Sequence, residues 1–337
     1  MTTEIINQSI KKMFTNVSNN YIFIYTPPKV GSTTLVSSLR VSLGNSYNII
    51  HIHDEVMLEV LTGIKGVTLN EIIQHLSENG KRIFVIDVYR TPIERKMSEF
   101  FEKLSPYHFN NTEENICSYS ITRISDRFNK VFPHIENGDH YFDRYNIADP
   151  VPFDFEKKYT IQEVGNVKYI KLRLCDTSQW SNILSIILNT DIVLVTDYET
   201  EKKQIGQLYK RFRNEYRLPR NFFEDVKGCR HFNFYYNKIE RKQYLDKWIN
   251  RLTDPVSPYT VNEYQFYINL CLENQYINDI QSEHYIDNGC FCKFCTQKRR
   301  EIYFKIKRGE KNIQKIIHRD FNEKKVFQIN KLQINLK

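Results

Sequence analysis

Short apolar runs alternate with segments whose apolar residues fall three and four positions apart. "YIFIYT" at 21–26, "SYNIIHIHDE" at 46–55 and "KRIFVIDVYR" at 81–90 each read as a strand. Between the first two, "TTLVSSLRVSL" sets Leu35, Leu39 and Leu43 on one helical face. "TLNEIIQHLSEN" reads as a helix with Thr68 as N-cap and Glu71 three residues on, the pattern of a capping box. "TPIERKMSEFFEKL" reads as another, with Pro92 suited to its first turn. The strands are apolar on both faces and alternate with helices, which predicts a parallel sheet in an α/β layer.

Farther along, residues 106–155 mix helical pieces with the loop "IENGDHYFDRYNIADPVPFDF". "YTIQEV" and "VKYIKLRL" predict a strand pair around Gly165-Asn166, followed by a helix "DTSQWSNILSIIL" capped by Asp176. A short strand "DIVLVT" and a helix "ETEKKQIGQLYKRFRNEY" come next, then helices in "LPRNFFEDVKG" and "IERKQYLDKWINRL". "TDPVSP" at 253–258 marks a boundary. The chain thus divides into a polar lead-in (1–20), a main domain (21–252) and a largely helical, cysteine-containing basic extension (253–337).

Composition narrows the class. With 41% hydrophobic and 14% aromatic residues in 337, the chain has material for a real core. The net charge of +8 suits an anionic ligand, and because it is spread along the chain it does not argue for nucleic acid. No stretch has the apolar length of a membrane span, and the polar start "MTTEIINQSIKKMF" lacks a signal-peptide core. Together with scattered cysteines, this reads as a cytoplasmic protein with reduced thiols.

In α/β sheets ligands bind at the carboxyl ends of the strands. Three features fall there: the turn "TPPKVGSTTL", the pair His51 and His53, and Arg90. The turn is not a Walker loop, because Lys29 precedes the only glycine, Gly31. The physics of a phosphate site still applies. Unpaired N–H groups at a helix N-terminus, hydroxyls from Ser32, Thr33 and Thr34, and a mobile charge on Lys29 all favour an anion. The plainer alternative is an ordinary strand-to-helix turn capped by Ser32 or Thr33. Arg90, with Ser98 eight residues on, offers a fork and a hydroxyl to a second phosphate.

These residues carry a resemblance. "TPPKVGSTTL" is similar to the 5′-phosphosulfate loop of sulfotransferases that use 3′-phosphoadenosine 5′-phosphosulfate (PAPS), and "YRTPIERKMSEFF" to their 3′-phosphate motif. "NIIHIHDE" resembles the strand end of carbohydrate 2-O-sulfotransferases, and "LYKRFRNEYRLPRNFFEDV" with the following "HFNFYYNKIERKQYLDKW" resembles putative capsular-polysaccharide-synthesis sulfotransferases. The likeness covers roughly residues 20–252. Thr91 stands where an acidic residue is usual, and the Asn-Lys-Trp-Tyr-Ser stretch of the bacterial relatives is not cleanly present.

The resemblance implies a P-loop-like three-layer α/β sandwich with a mostly parallel sheet, and a sulfuryl transfer from PAPS to a carbohydrate hydroxyl. Lys29, Val30, Gly31, Ser32, Thr33 and Thr34 would hold the 5′ end of the donor, and Arg90 and Ser98 its 3′-phosphate. His53 would be the general base, with His51 assisting; the two roles are interchangeable at this stage. Asp54 and Glu55 stand next in line. The alternatives are a nucleotide-dependent kinase and a non-catalytic glycan- or nucleotide-binding protein. The extension holds His284, Cys290, Cys292 and Cys295, in which Cys292-x-x-Cys295 matches one zinc knuckle without a second. A structural zinc site, a redox-labile pair and plain thiols are the three alternatives there.

Overall fold

The computed structural model describes residues 3–14, 18–109, 113–135, 138–195, 205–273 and 308, without the side chains of 105–107 and 268–273. The zinc candidates His284, Cys290, Cys292 and Cys295 lie outside the described residues. In chain order the elements begin α1 (Thr3–Met13), β1 (Asn20–Tyr25), α2 (Ser32–Leu43), β2 (Asn48–Ile52), α3 (Glu55–Thr62), α4 (Leu69–Glu78), β3 (Arg82–Tyr89) and α5 (Pro92–Glu102). Then come α6 (Glu113–Ile116), α7 (Ile121–Val131), α8 (His140–Asp143), β4 (Tyr159–Val164), β5 (Val167–Arg173) and α9 (Trp180–Leu188). The last are α10 (Gly206–Glu215), β6 (Leu218–Pro219), α11 (Arg220–Gly228), α12 (Arg230–Tyr235), α13 (Lys238–Ile249), β7 (Leu252–Thr253) and α14 (Val261–Glu273).

The described residues form two compact units, one from the ranges 3–88 and 139–195, the other from 89–138 and 205–273. The first is built on a five-stranded sheet of order β2-β1-β3-β5-β4. β1 pairs in parallel with both β2 and β3, and β4 closes antiparallel on β5. This is the mostly parallel α/β sandwich expected from the pattern.

Strand parity explains its two apolar layers. Tyr21, Phe23, Tyr25, Ile50, Ile52, Ile83 and Val85 face one way and pack with α1 and α4 through Ile6, Met13, Ile72 and Leu76. Ile22, Ile24, Ile49, Phe84, Ile86 and Val88 face the other way, against α2 and α9 through Leu35, Leu39, Trp180 and Leu184. The Leu35, Leu39, Leu43 stripe is therefore the buried face of α2. The capping box also forms: the Thr68 hydroxyl accepts from the Glu71 amide, and the Glu71 carboxylate accepts from the Thr68 amide.

Two local expectations are corrected. Residues 191–195 of "DIVLVT" form no strand. Their amides are taken instead by serine hydroxyls, Ile192 by Ser185, Val193 by Ser42 and Val195 by Ser38. Donors satisfied by side chains are not left for a β ladder. Asp176 does not cap the following helix. A 3₁₀ segment, Leu174–Gln179, comes first, α9 starts at Trp180, and the Asp176 carboxylate pairs with Arg173 Nε at 2.6 Å. A buried arginine needs a counter-charge more than a helix end exposed to water needs a cap. Of the helix read at 199–216, Gly206–Glu215 is helical; residues 199–204 lie outside the described residues.

The second unit is helical and aromatic-rich. Phe128 is in edge contact with Phe100, Phe132, Phe212 and Tyr216. The short strands β6 and β7 pair in parallel, and Tyr259 N–H donates to the carbonyl of Lys130. Residues beyond 253 thus join the packing of this unit.

Candidate functional site

The turn between β1 and α2 has an unusual backbone. Lys29 has φ 65° and Gly31 φ 91°, on either side of Val30, whose φ is negative. Alternating φ signs turn successive N–H groups toward one point, the arrangement that makes a backbone nest for anions. α2 starts with Gly31 as N-cap and no side-chain cap hydrogen bond. Capping by Ser32 or Thr33, the plainer alternative, is therefore not what the turn does. Its terminal donors are those a helix leaves open to an anion.

Gly31 is required twice. Its φ lies in the left-handed region, and a Cβ there would meet Leu174 Cδ1 at 2.6 Å and the Trp180 ring at 3.3 Å. Val30 and Ser32 are buried, which pins the turn from below, while Lys29, Thr33 and Thr34 are half-buried at its rim.

The histidines are placed by sheet register. Parallel pairing sets Ile24 beside His51 and Tyr25 beside Ile52, and the Thr26 amide continues the ladder to the Ile52 carbonyl at 3.3 Å. The next step brings His53 to Thr26, whose carbonyl lies 2.7 Å from His53 Nδ1. A carbonyl only accepts, so Nδ1 carries the proton and the lone pair of the neutral ring is on Nε2.

His51, two residues back, has its ring edge-on to His53 at 4.3 Å between centroids. It is 5% exposed, and neither ring nitrogen has a hydrogen-bond partner among the described residues. Burial, helped by His53 and Arg40, holds its pKa well below the usual imidazole value. His51 is thus a neutral ring packed behind His53.

One neighbour, His140, was not singled out from sequence. His140 at the start of α8 donates from Nε2 to the His53 carbonyl at 2.6 Å, and its ring meets Tyr25 edge-on at 4.6 Å. Burial pushes its pKa down to about 3. Glu55 accepts from the Tyr25 hydroxyl at 3.2 Å and pairs with Arg144 at 3.2 Å, while Asp54 caps α3 by accepting from the Met57 amide. Both carboxylates beside the histidines therefore have structural partners.

Deeper in the same unit, Lys171 Nζ lies 2.6 Å from Asp87 Oδ2 and 2.8 Å from Asp139 Oδ2, with Lys171 and Asp87 fully buried. Asp87 also accepts from the Tyr141 and Val88 amides. Burial, opposed by Lys171 and reinforced by Asp139, raises the Asp87 pKa to about 6. The signal was present in the sequence as charges inside apolar runs, Asp87 in "VIDVY" and Lys171, beside Arg173, in "YIKLRL".

Lys29 to Thr34, His51 and His53 all belong to the first unit. Arg90 follows the end of β3 and is half-buried; Ser98 lies in α5 and is 4% exposed; both belong to the second unit. α5 starts with Pro92 in its first turn and, like α2, without a side-chain cap, Thr91 being its N-cap. Among the described residues no helix is long and apolar enough to cross a membrane, and no group of His, Cys, Asp and Glu is arranged to hold a metal ion. The chain matches no protein-family model, no curated protein and no solved structure.

Proposed function

We propose that the protein is a PAPS-dependent sulfotransferase acting on a carbohydrate hydroxyl. One observation carries the reading: the residue that opens the anion-type turn, Thr26, holds His53 by its carbonyl, so base and turn are tied by one hydrogen bond. The nucleophile's base must stand beside the group being transferred, and this bond couples the two.

In such a reaction the acceptor oxygen forms a bond to sulfur as the bond from sulfur to the 5′-phosphate oxygen breaks. The acceptor proton passes to His53 Nε2, and Thr26 stabilises the resulting imidazolium at Nδ1–H. Lys29 and the N-terminal amides of α2 offset the charge that builds on the leaving phosphate. His140 keeps the His53 backbone in place, and His51, neutral and apolar-packed, fixes the ring plane. Arg90 and Ser98 are assigned the 3′-phosphate by the resemblance.

A thermal-shift comparison tests this. 3′-Phosphoadenosine 5′-phosphate at a hundredfold above its Kd should add about 2.7 kcal/mol of stability, with little effect from ATP or 5′-AMP. Arg90→Ala should weaken that binding by about 1.5–3 kcal/mol. His53→Ala should bind the nucleotide normally and lose transfer. A shift with ATP alone would replace the reading with a kinase; no shift with any of the three would favour a non-catalytic binding protein.

A further inference from the structure

α8 is a single turn of 4 residues, His140–Asp143, too short to hold its shape alone. Buried charges fasten it. The Asp139 carboxylate accepts from the Phe142 amide at 3.1 Å, and the Asp87 carboxylate accepts from the Tyr141 amide at 3.0 Å. Lys171 Nζ bridges those two carboxylates at 2.6 and 2.8 Å. The Asp143 carboxylate closes the turn by accepting from the Asp139 amide at 2.9 Å.

The same turn grips two strand ends. His140 Nε2 donates to the carbonyl of His53, just past β2, at 2.6 Å. The Tyr145 hydroxyl donates to the carbonyl of Tyr25, the last residue of β1, also at 2.6 Å. Tyr145 is tied to α8 through its amide, which donates to the His140 carbonyl at 2.7 Å. Both side chains are buried, His140 completely. A carbonyl only accepts, so the His140 proton is on Nε2, and Nδ1 is buried with no partner among the described residues. The other tautomer would break the bond to His53 and leave an N–H sealed in. Between the two gripped strand ends runs the bond from His53 Nδ1 to the Thr26 carbonyl, at 2.7 Å. His53 is held directly and Thr26 through its neighbour Tyr25, so α8 constrains both partners of that bond.

A buried ion cluster gives little stability over an apolar core of equal volume, because desolvation offsets its attraction. What it supplies is a fixed position: carboxylates pinned by a lysine present acceptors that cannot slide as apolar packing can. We propose that α8 is a positioning clamp for the base, in which the Lys171–Asp87–Asp139 cluster fixes the turn and His140 and Tyr145 carry that position to the strand ends that set the His53 imidazole. His140, Tyr145 and Asp139 are thus positioning residues. The inference rests on His53 being the base of the reaction proposed above, and its readout is the imidazole itself, observed without donor or acceptor.

Proton–nitrogen correlation NMR of the full chain carrying isotope-labelled histidine, recorded above the imidazole pKa, tests the clamp; His53→Gln assigns the signal. The parent should show His53 protonated on Nδ1. His140→Phe keeps a ring and removes the donor, and should convert His53 to a mixture of tautomers. His140→Gln returns an N–H to the same carbonyl and should restore the Nδ1–H form. Tyr145→Phe and Asp139→Asn should convert it in part, and they carry the test if His140→Phe has lost its melting transition. An Nε2–H tautomer in the parent, an Nδ1–H signal untouched by His140→Phe, Tyr145→Phe and Asp139→Asn, or a loss in His140→Phe that His140→Gln leaves unrestored would each overturn the inference. In transfer assays His140→Phe should lower kcat by about tenfold or more with the donor KM unchanged. 3′-Phosphoadenosine 5′-phosphate binding is followed in parallel. A clamp that behaves as expected in a chain that does not bind the nucleotide would uphold the clamp and remove only the sulfuryl-transfer reading.

Discussion

Two lysines of the first unit have opposite surroundings. Lys171 lies on β5 with no exposed side-chain surface and two carboxylates within 2.8 Å. Lys29 sits half-buried at the rim of a left-handed turn, before the open end of α2. A buried charge survives only if the protein itself satisfies it, so Lys171 belongs to the architecture. A charge at a rim keeps contact with water and is within reach of a ligand. Asp87 and Lys171 share strand parity with Val85 and Tyr169, on the α1/α4 side of the sheet, whereas His51 shares parity with Ile49, on the α2 side. The sheet thus separates a structural ion cluster on one face from the candidate chemistry on the other.

The largest effect should come from Lys171→Met, which leaves two carboxylates buried without their cation and should cost about 3–5 kcal/mol in denaturant unfolding. A loss below about 1 kcal/mol would mean the cluster is not structural. Its pH signature has a definite sign. The Asp87 pKa is raised in the folded state to about 6, so its contribution to stability is fully present below the unfolded carboxylate value and is lost as pH rises through about 6. Asp87→Asn should flatten stability against pH across that window; an unchanged slope would assign it to another group.

Gly31→Ala should come next. It combines a left-handed φ with a Cβ 2.6 Å from Leu174, and should cost about 2–4 kcal/mol from backbone strain and overpacking. It should also abolish nucleotide binding. Retained binding would show that the turn tolerates another shape and is not the anion site. The smallest effect on stability belongs to Lys29→Met, expected within about 0.5 kcal/mol of the parent, with nucleotide binding weakened by about 1.5–3 kcal/mol. If Lys29→Met unfolds the protein as readily as Lys171→Met, the contrast between the two lysines fails.

The three parallel strands, the helix faces and the Thr68 cap were legible because each depends on neighbours within a turn or a pleat. The two histidines were legible as a pair for the same reason. Their inequality was not. His53 meets the Thr26 carbonyl only because β1 and β2 pair in one register, and His51 loses its solvent only because α2 covers that face. The segment 191–195 has strand-like residues, but Ser38 and Ser42 of α2 compete for its amides, and no local pattern records that competition.

By itself, then, the sequence determined the α/β layering, the position of the turn and the chemistry available at the strand ends, since period, capping and glycine conformation are local properties. The tertiary structure decided which of two histidines is hydrogen-bonded to the turn, which is sealed without a partner among the described residues, and which charges are buried in pairs. Those outcomes depend on burial and on partners distant in the chain, and desolvation acts only once the chain has closed around them.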